Sequence, residues 1–543
     1  MEVYMNLKIK AVGAYFTPAG IVADSVANPK YADYTVKSGE NTYELYATSR
    51  LSPAAISVRI PVTLEEGEVV FMNGFQSETD SREMTVNEKM RGVDAVSDYA
   101  RHVYTEVVGG DYSIVKYKNK PGVVHGFSYC YFRNGDKFRF FGSLDESTGY
   151  TVFKYDAGAA TLKVSKDIEG VKTFDNYKVM ALFYAEGSED EVFDKWFEAI
   201  GKSENPPAPE ILGYSTEKLD VIDEKIVLRK LSAVNRCFPI KPNAFIVDGD
   251  YCVDGSWLEP YLDKFPGGMR RISDKIKASD MMSGICISPF TIDEESEIFV
   301  KHKDWILSMP NGRFVKAKKN FYVLDAENEE VRAYVREVIH TILFMWGFDI
   351  IKLDNLYVAG ITCGNGKSRG EKMCSAMNFL RECCGGKLMY VDHTPLMPAF
   401  GVADYCSISC AAVANRAPVA YAKRFYRESA SVRNAAADIV FRRGLNKRAF
   451  LSVPCGISFD DKEFFFDDNL NSAEQNVLTN IEGLFTSVLI FHDSGAAYDQ
   501  KKKRRFVKTC SLAKAKNVTV DKTEDGFIVN YKLDGKSYVI RFR

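Results

Sequence analysis

The sequence predicts a multidomain α/β protein: an N-terminal antiparallel β-sandwich, a central (β/α)8 TIM barrel and a small C-terminal antiparallel β-domain. Three observations carry that reading. Eight short apolar runs follow one another through the middle of the chain, each separated from the next by enough residues for a helix or a long loop. Ahead of them the chain is rich in Val, Tyr, Phe and Thr in short alternating runs, with Gly, Asn and Asp between. Behind them come three more alternating runs.

The sandwich is expected over residues 1–202, with strands at Tyr43–Tyr46, Ile56–Val62, Glu68–Met72, Gly126–Phe132, Lys137–Phe141 and Lys178–Tyr184. The segment Ser203-Glu204-Asn205-Pro206-Pro207-Ala208-Pro209 reads as a linker, because its prolines cannot join a central strand and stiffen an exposed connection. The barrel is expected over 203–495, its strands at Ile211–Thr216, Ala244–Asp248, Gly284–Ser288, Ile350–Asp354, Leu388–Asp392, Asp404–Ser409, Ala449–Val453 and Ser487–Phe491. The C-terminal domain, 496–543, begins with the basic run Lys501–Arg505, read as a solvated surface turn. Strands follow at Asn517–Val520, Gly526–Lys532 and Ser537–Arg541.

The fourth barrel run is the most informative. Before it, Val331, Tyr334, Val335, Val338, Ile339, Ile342, Leu343 and Trp346 form one helical stripe, and Gly347 is placed to end the helix. The strand Ile350-Ile351-Lys352-Leu353 then delivers Asp354 to its C-terminal end, where barrels of this kind keep their chemistry. Other runs also end in polar groups: Asp248 and Asp250, Asp392 with His393, and His492 with Asp493. A carboxylate-lined pocket suits a polyhydroxylated or cationic small molecule.

Composition narrows the alternatives. At 543 residues the chain exceeds a single core. A net charge of −2 gives no overall pull toward nucleic acid or an anionic membrane. No apolar run approaches the roughly 20 residues that span a bilayer. Met1–Lys10 lacks an apolar core followed by a cleavage site, and the 12 cysteines form no paired framework, so a cytoplasmic protein with reduced thiols is expected. No cofactor or metal is expected. The CxxxC pair Cys406 and Cys410, with Cys455 and His393 nearby, falls short of a zinc signature, and Gly364-Asn365-Gly366-Lys367-Ser368 lacks the first glycine of a phosphate-binding loop.

The order of domains and a series of motifs resemble the retaining α-galactosidases of glycoside hydrolase family 36. The motifs are Asp248-Gly249-Asp250-Tyr251, Gly255-Ser256-Trp257, Phe265-Pro266-Gly267-Gly268-Met269, Pro289-Phe290, His302-Lys303-Asp304-Trp305, Val323-Leu324-Asp325 and Lys352-Leu353-Asp354. The resemblance implies that Asp354 attacks the anomeric carbon, that Lys352 binds sugar hydroxyls, and that Asp248, Asp250, Trp257, His393 and Asp404 belong to the sugar site, with Trp257 as a wall. It also implies a carbohydrate ligand and allows a homo-oligomer.

The sixth run departs from the family. Where that family carries an arginine and then its acid/base aspartate, this chain has Ser407 and Ala411. The adjacent aspartates of the second strand are split by Gly249, and the sandwich loop Met72–Ser77 has Phe75 and then Glu78 where the family has tryptophans. Two readings follow: a divergent α-glycosidase whose donor is replaced, with His393, Asp392, Asp250 and His492 as substitutes, or a carbohydrate-binding pseudoenzyme.

Overall fold

The structure, a computed structural model, describes residues 10–17, 20–25, 31–90, 92, 109–112, 114–201, 207–309, 311–318, 320–412, 427–428, 430–459 and 470–542. Residues 1–9, and 203–206 of the expected linker, lie outside these.

The N-terminal region forms two antiparallel sheets, one of six and one of seven strands. Alternation builds their shared core: Ile56, Val58 and Ile60 from one sheet meet Phe132, Phe141 and Leu182 from the other, all buried. The run expected as one strand over Gly126–Phe132 is two, Val123–Phe127 in the first sheet and Tyr129–Asn134 in the second. Ser128 between them has φ +65°, and that left-handed residue carries the chain across from sheet to sheet.

The barrel strands run parallel in sequence order: β1 (Ile211–Ser215), β2 (Ala244–Val247), β3 (Met282–Ile287), β4 (Ile350–Leu353), β5 (Leu388–Val391), β6 (Tyr405–Ser407), β7 (Leu451–Val453) and β8 (Val488–Phe491). Closure between the last two comes from one parallel bridge, Ile457 to Phe491. Ile211, Ala244, Ile246, Ile350, Tyr390, Tyr405, Val453 and Ile490 fill the interior as a packed core, and the alternate residues Ile351, Leu353 and Phe245 face the outer helices. The helix Glu329–His340 before β4 widens into a π-turn over Thr341–Met345 and stops at Gly347, φ +79°.

The basic run is not a turn. Lys501–Arg505 lies in the helix Gln500–Ser511, which buries Phe506 against Phe491 with ring centres 4.4 Å apart. Lys501 and Arg504 stay exposed, Arg505 lies over the Phe459 ring at 4.8 Å, and the spacing of Phe506 and Thr509 supplies the apolar contact that makes the segment helical. A three-stranded antiparallel sheet, Lys516–Lys522, Phe527–Leu533 and Lys536–Phe542, ends the described chain. No helix among the described residues is long and apolar enough to cross a membrane, and all 12 cysteines are free.

The sandwich is fastened to the barrel by buried arginine. Arg442 is fully buried and donates to the carbonyls of Gln76 (2.9 Å), Thr79 (3.0 Å) and Ile408 (2.7 Å), and to Asn73 Oδ1 (3.0 Å). The Ser77 N–H in turn donates to Thr394 O at 3.0 Å. The tight path of this loop needs Gly74, where a Cβ would fall 2.4 Å from Thr79. The loop so held brings Glu78 over the C-terminal mouth of the barrel.

Candidate active site

The period of two along each strand decides what enters the cavity. On β4, Ile350 and Lys352 face the barrel interior, and Asp354, just past the strand end, continues that row. The same parity carries β1 to Glu217, β2 to Asp248, β5 to Asp392, β6 to Ala411, β7 to Cys455 and β8 to His492. Apart from Ile350, which lies deeper, all of these residues line one cavity of about 110 Å³, as do Glu78 and His393. At about 30 Å³ per water in the liquid, this is room for roughly four waters.

Lys352 is the electrostatic centre. It is 4% exposed, and its ammonium donates to Asp248 at 2.9 Å and Glu217 at 3.1 Å and pairs with Asp392 at 3.3 Å. Burial alone would lower the lysine pKa, but these carboxylates raise it well above its ordinary value, so it is charged across the physiological range. The carboxylates respond unequally. Burial wins at Asp248, which rises to about 6, whereas at Glu217, partly exposed at the mouth, Lys352 and His492 win and bring it to about 2.

Asp354 is held by a second cation. His393 has φ +42°, a left-handed conformation that folds its ring back over β4 and places Nδ1 2.6 Å from Asp354 Oδ1 and Nε2 3.0 Å from Glu78 Oε2. The Asn355 N–H also donates to Asp354, at 2.6 Å. Against burial, which would raise it, His393 and Lys352 hold the Asp354 carboxyl well below the usual range. Burial opposes the His393 charge, but Glu78 and Asp354 raise its pKa well above 6.5. The result is a protonated imidazole bridging the carboxyl groups of Asp354 and Glu78. His492 differs: burial lowers it to about 4, and its buried Nδ1 has no hydrogen-bond partner among the described residues.

Oxygen and nitrogen atoms of Asp354, Asp392 and His393 come within 4.8 Å of one another, a spacing that would suit a metal ion. Lys352 already sits on Asp392, and His393 on Asp354, so the positive charge that such a group would attract is supplied by the protein. The sulfurs of Cys406, Cys410 and Cys455 point to separate partners, Ser407 O, Ser431 O and Glu482 Oε1.

Asp248, Lys352, Asp354 and His393 therefore meet in one cavity, and Ala411 puts a methyl group on its wall. Three expected residues do not line it. Asp250 is exposed, because Gly249 at φ +136° turns the chain outward after Asp248. Trp257 is 5% exposed in the core, where its carbonyl accepts the Tyr251 hydroxyl at 3.3 Å. Asp404 precedes β6 and so stands at the opposite end of the barrel. There it pairs with Arg381 at 2.8 Å and accepts the Met389 N–H at 2.7 Å, a structural clasp rather than a sugar contact. Two lining residues that the motifs do not single out as ligands are Glu217 and Glu78.

A family model described as Melibiase matches residues 248–378, the stretch that begins at Asp248, just past β2, and contains β3, β4 and Asp354. The α-galactosidase Mel36A of Lactobacillus acidophilus is 32% identical over 107 residues, 20% of this chain and 14% of that protein. The α-galactosidase AgaA of Geobacillus stearothermophilus is 30% identical over 100 residues, 18% of this chain and 13% of that one. These alignments thus span about a seventh of the curated relatives. The fold likeness is much wider. An α-galactosidase of Thermus thermophilus, solved with p-nitrophenyl α-D-galactopyranoside, superposes with TM-score 0.70 at 20% identity over 93% of this chain and 95% of that one. The α-galactosidase AgaB of Geobacillus stearothermophilus gives 0.59 at 11% identity, over 94% and 73%. The chain is therefore similar to the family 36 α-galactosidases in the sequence of part of its barrel and in its whole architecture.

Proposed function

We propose that this protein is a retaining α-glycosidase, α-galactosidase-like, in which Asp354 is the nucleophile and no dedicated acid/base stands at position 411. The observation that carries the proposal is the state of Asp354: it stands at the end of β4, within the cavity, kept ionised by His393 and Lys352. A carboxylate in that state can attack an anomeric carbon, and Lys352, Asp248 and Glu217 offer the donors and acceptors that bind sugar hydroxyls. His393 supports the nucleophile and does not stand across a sugar from it, since 2.6 Å leaves no room for a ring between them.

A retaining enzyme needs a second carboxyl, about 5–5.5 Å from the nucleophile, that gives a proton to the leaving oxygen and then takes one from water. Asp392 has an oxygen within 4.8 Å of Asp354, but it is bound to Lys352. Both half-reactions therefore lack a free proton carrier at the family's position. Glycosides with good leaving groups should be cleaved slowly and natural disaccharides barely. The test is hydrolysis of a panel of aryl α-glycosides by the parent protein and by Asp354→Asn. Activity lost in the variant supports the proposal. Activity retained removes the nucleophile assignment, and no cleavage of any aryl glycoside leaves the carbohydrate-binding reading.

A further inference from the structure

We propose a second ligand site, for an amphipathic monoanion, in a cavity of about 720 Å³ that shares no lining residue with the Asp354 cavity. It is bounded by the segment 304–315 after β3, the segment 357–365 after β4 and the start of the helix Arg369–Cys384. A space of this volume is of the size that holds cofactors and other organic ligands.

Its walls are divided by chemistry. Leu307, Met309, Phe314 and Tyr357 give an apolar flank. At the other flank stands Lys372, only 5% exposed and with no hydrogen-bond or ion-pair partner among the described residues. Its side chain lines the cavity with no carboxylate on it, so an anion entering there is drawn to it. Its neighbour Arg369 is already neutralised by Asp167 at 3.0 Å and Glu169 at 2.8 Å, which leaves Lys372 as the uncommitted buried cation there. Both lie at the N-terminus of a 16-residue helix, whose dipole adds positive potential. Asp304 and Asp325 also border the cavity, as does the exposed Arg313, but neither aspartate pairs with Lys372, and Asp325 accepts the Glu327 N–H at 3.1 Å.

The adjoining loop does not make this a nucleotide site. Gly364 and Lys367 close a turn on each other, and the Lys367 ammonium is taken by Glu327. A row of free N–H groups to cradle a phosphate is not what the loop offers. The ligand chemistry that fits is one carboxylate or sulfonate on Lys372 and an apolar or aromatic body against Phe314 and Tyr357.

The probe is 8-anilinonaphthalene-1-sulfonate, titrated by fluorescence into the full chain. The expected result is saturable binding at one site that Lys372→Met weakens at least tenfold, Lys372→Arg largely restores, and Asp354→Asn leaves unchanged. Met309→Glu, which sets a carboxylate in the apolar flank, should also weaken it without touching the lysine. Each variant is compared at matched thermal stability, so that dye bound by unfolded chain is excluded. Absence of saturable binding, or binding that Lys372→Met and Met309→Glu leave unchanged, overturns the proposal.

Discussion

Adding azide to the protein while it turns over an activated aryl α-galactoside should accelerate turnover and yield an α-glycosyl azide. Ala411 lines the cavity with a methyl group at the position that the family resemblance gives to the acid/base aspartate. General acid or base help is worth about 10²–10⁴-fold, or about 3–5 kcal/mol at 1.36 kcal/mol per decade. A good leaving group departs without protonation, so the loss falls on the second step, in which water must be deprotonated as it attacks the glycosyl ester of Asp354. Azide is already an anion and needs no base. It is three atoms long, like the missing carboxylate, and Ala411 leaves that space open. The cavity opposes it electrostatically, with Glu78, Glu217, Asp248, Asp354 and Asp392 facing Lys352 and His393. Esterification of Asp354 removes one of those negative charges at the moment azide must enter. Acceleration of about tenfold or more, with product of retained configuration, is expected, since only a fraction of the roughly 10²–10⁴-fold deficit needs to be recovered. Ala411→Asp should abolish the azide response and raise activity toward unactivated disaccharides. The assay is steady-state release of the aryl alcohol against azide concentration, with the sugar product identified by NMR. Rapid cleavage of an unactivated disaccharide by the parent protein, together with indifference to azide, would refute the reasoning by showing that another residue has taken over as acid/base.

Three further outcomes follow from the charge pattern. Lys352→Met should destabilise the fold by about 3–5 kcal/mol in urea unfolding at pH 7, because it strips the shared cation from Asp248, Asp392 and Glu217; the deficit should narrow as pH falls through about 6, where Asp248 protonates. His393→Gln should cost about 1.5–3 kcal/mol. The His393 pKa is raised above 6.5, so its contribution is full below that pH and is lost as pH rises through the folded value. Asp354 is depressed below 3.8, so its contribution holds above that pH and is lost as pH falls through the folded value. The stability gap should therefore be widest between those limits, and one that widens at alkaline pH would contradict the bridge. A cationic iminosugar should bind more tightly than the neutral sugar, and the corresponding uronate least, by calorimetry, since five carboxylates face two cations in the cavity. Preference for the uronate would show that the charge reading is wrong.

The eight strands were legible in the sequence to within one or two residues, because buried barrel strands are short apolar runs cut off by polar ends. The same periodicity held the key to the site, and its limits explain the errors. Parity along β4 leads from Ile350 through Lys352 to Asp354, and along β1 from Ile211 to Glu217, so Glu217 is open to the same argument. Asp404 begins an apolar run rather than ending one, and parity alone does not say which end of a strand a residue occupies. Asp250 keeps the parity of Asp248, but the positive φ of Gly249 breaks the row. Trp257 shows that a large aromatic after a barrel strand satisfies burial as readily as it serves a ligand. Glu78 is marked in the sequence only by the family's sandwich-loop motif: it belongs to another domain, and its place at the barrel mouth depends on Arg442 holding the loop from far along the chain. His393 needed the left-handed turn that folds it over Asp354, and that turn is not written in the spacing.

The central claim is that Asp354 forms a covalent bond to the sugar, and trapping tests it most directly. The protein is incubated with an activated α-galactosyl fluoride carrying a second fluorine that slows ester hydrolysis, and intact and peptide masses are then read. The account predicts one glycosyl group per chain, located on the peptide containing Asp354 and absent from Asp354→Asn. Release of fluoride with no label on that peptide, or a label on any other carboxylate of the cavity, would contradict it.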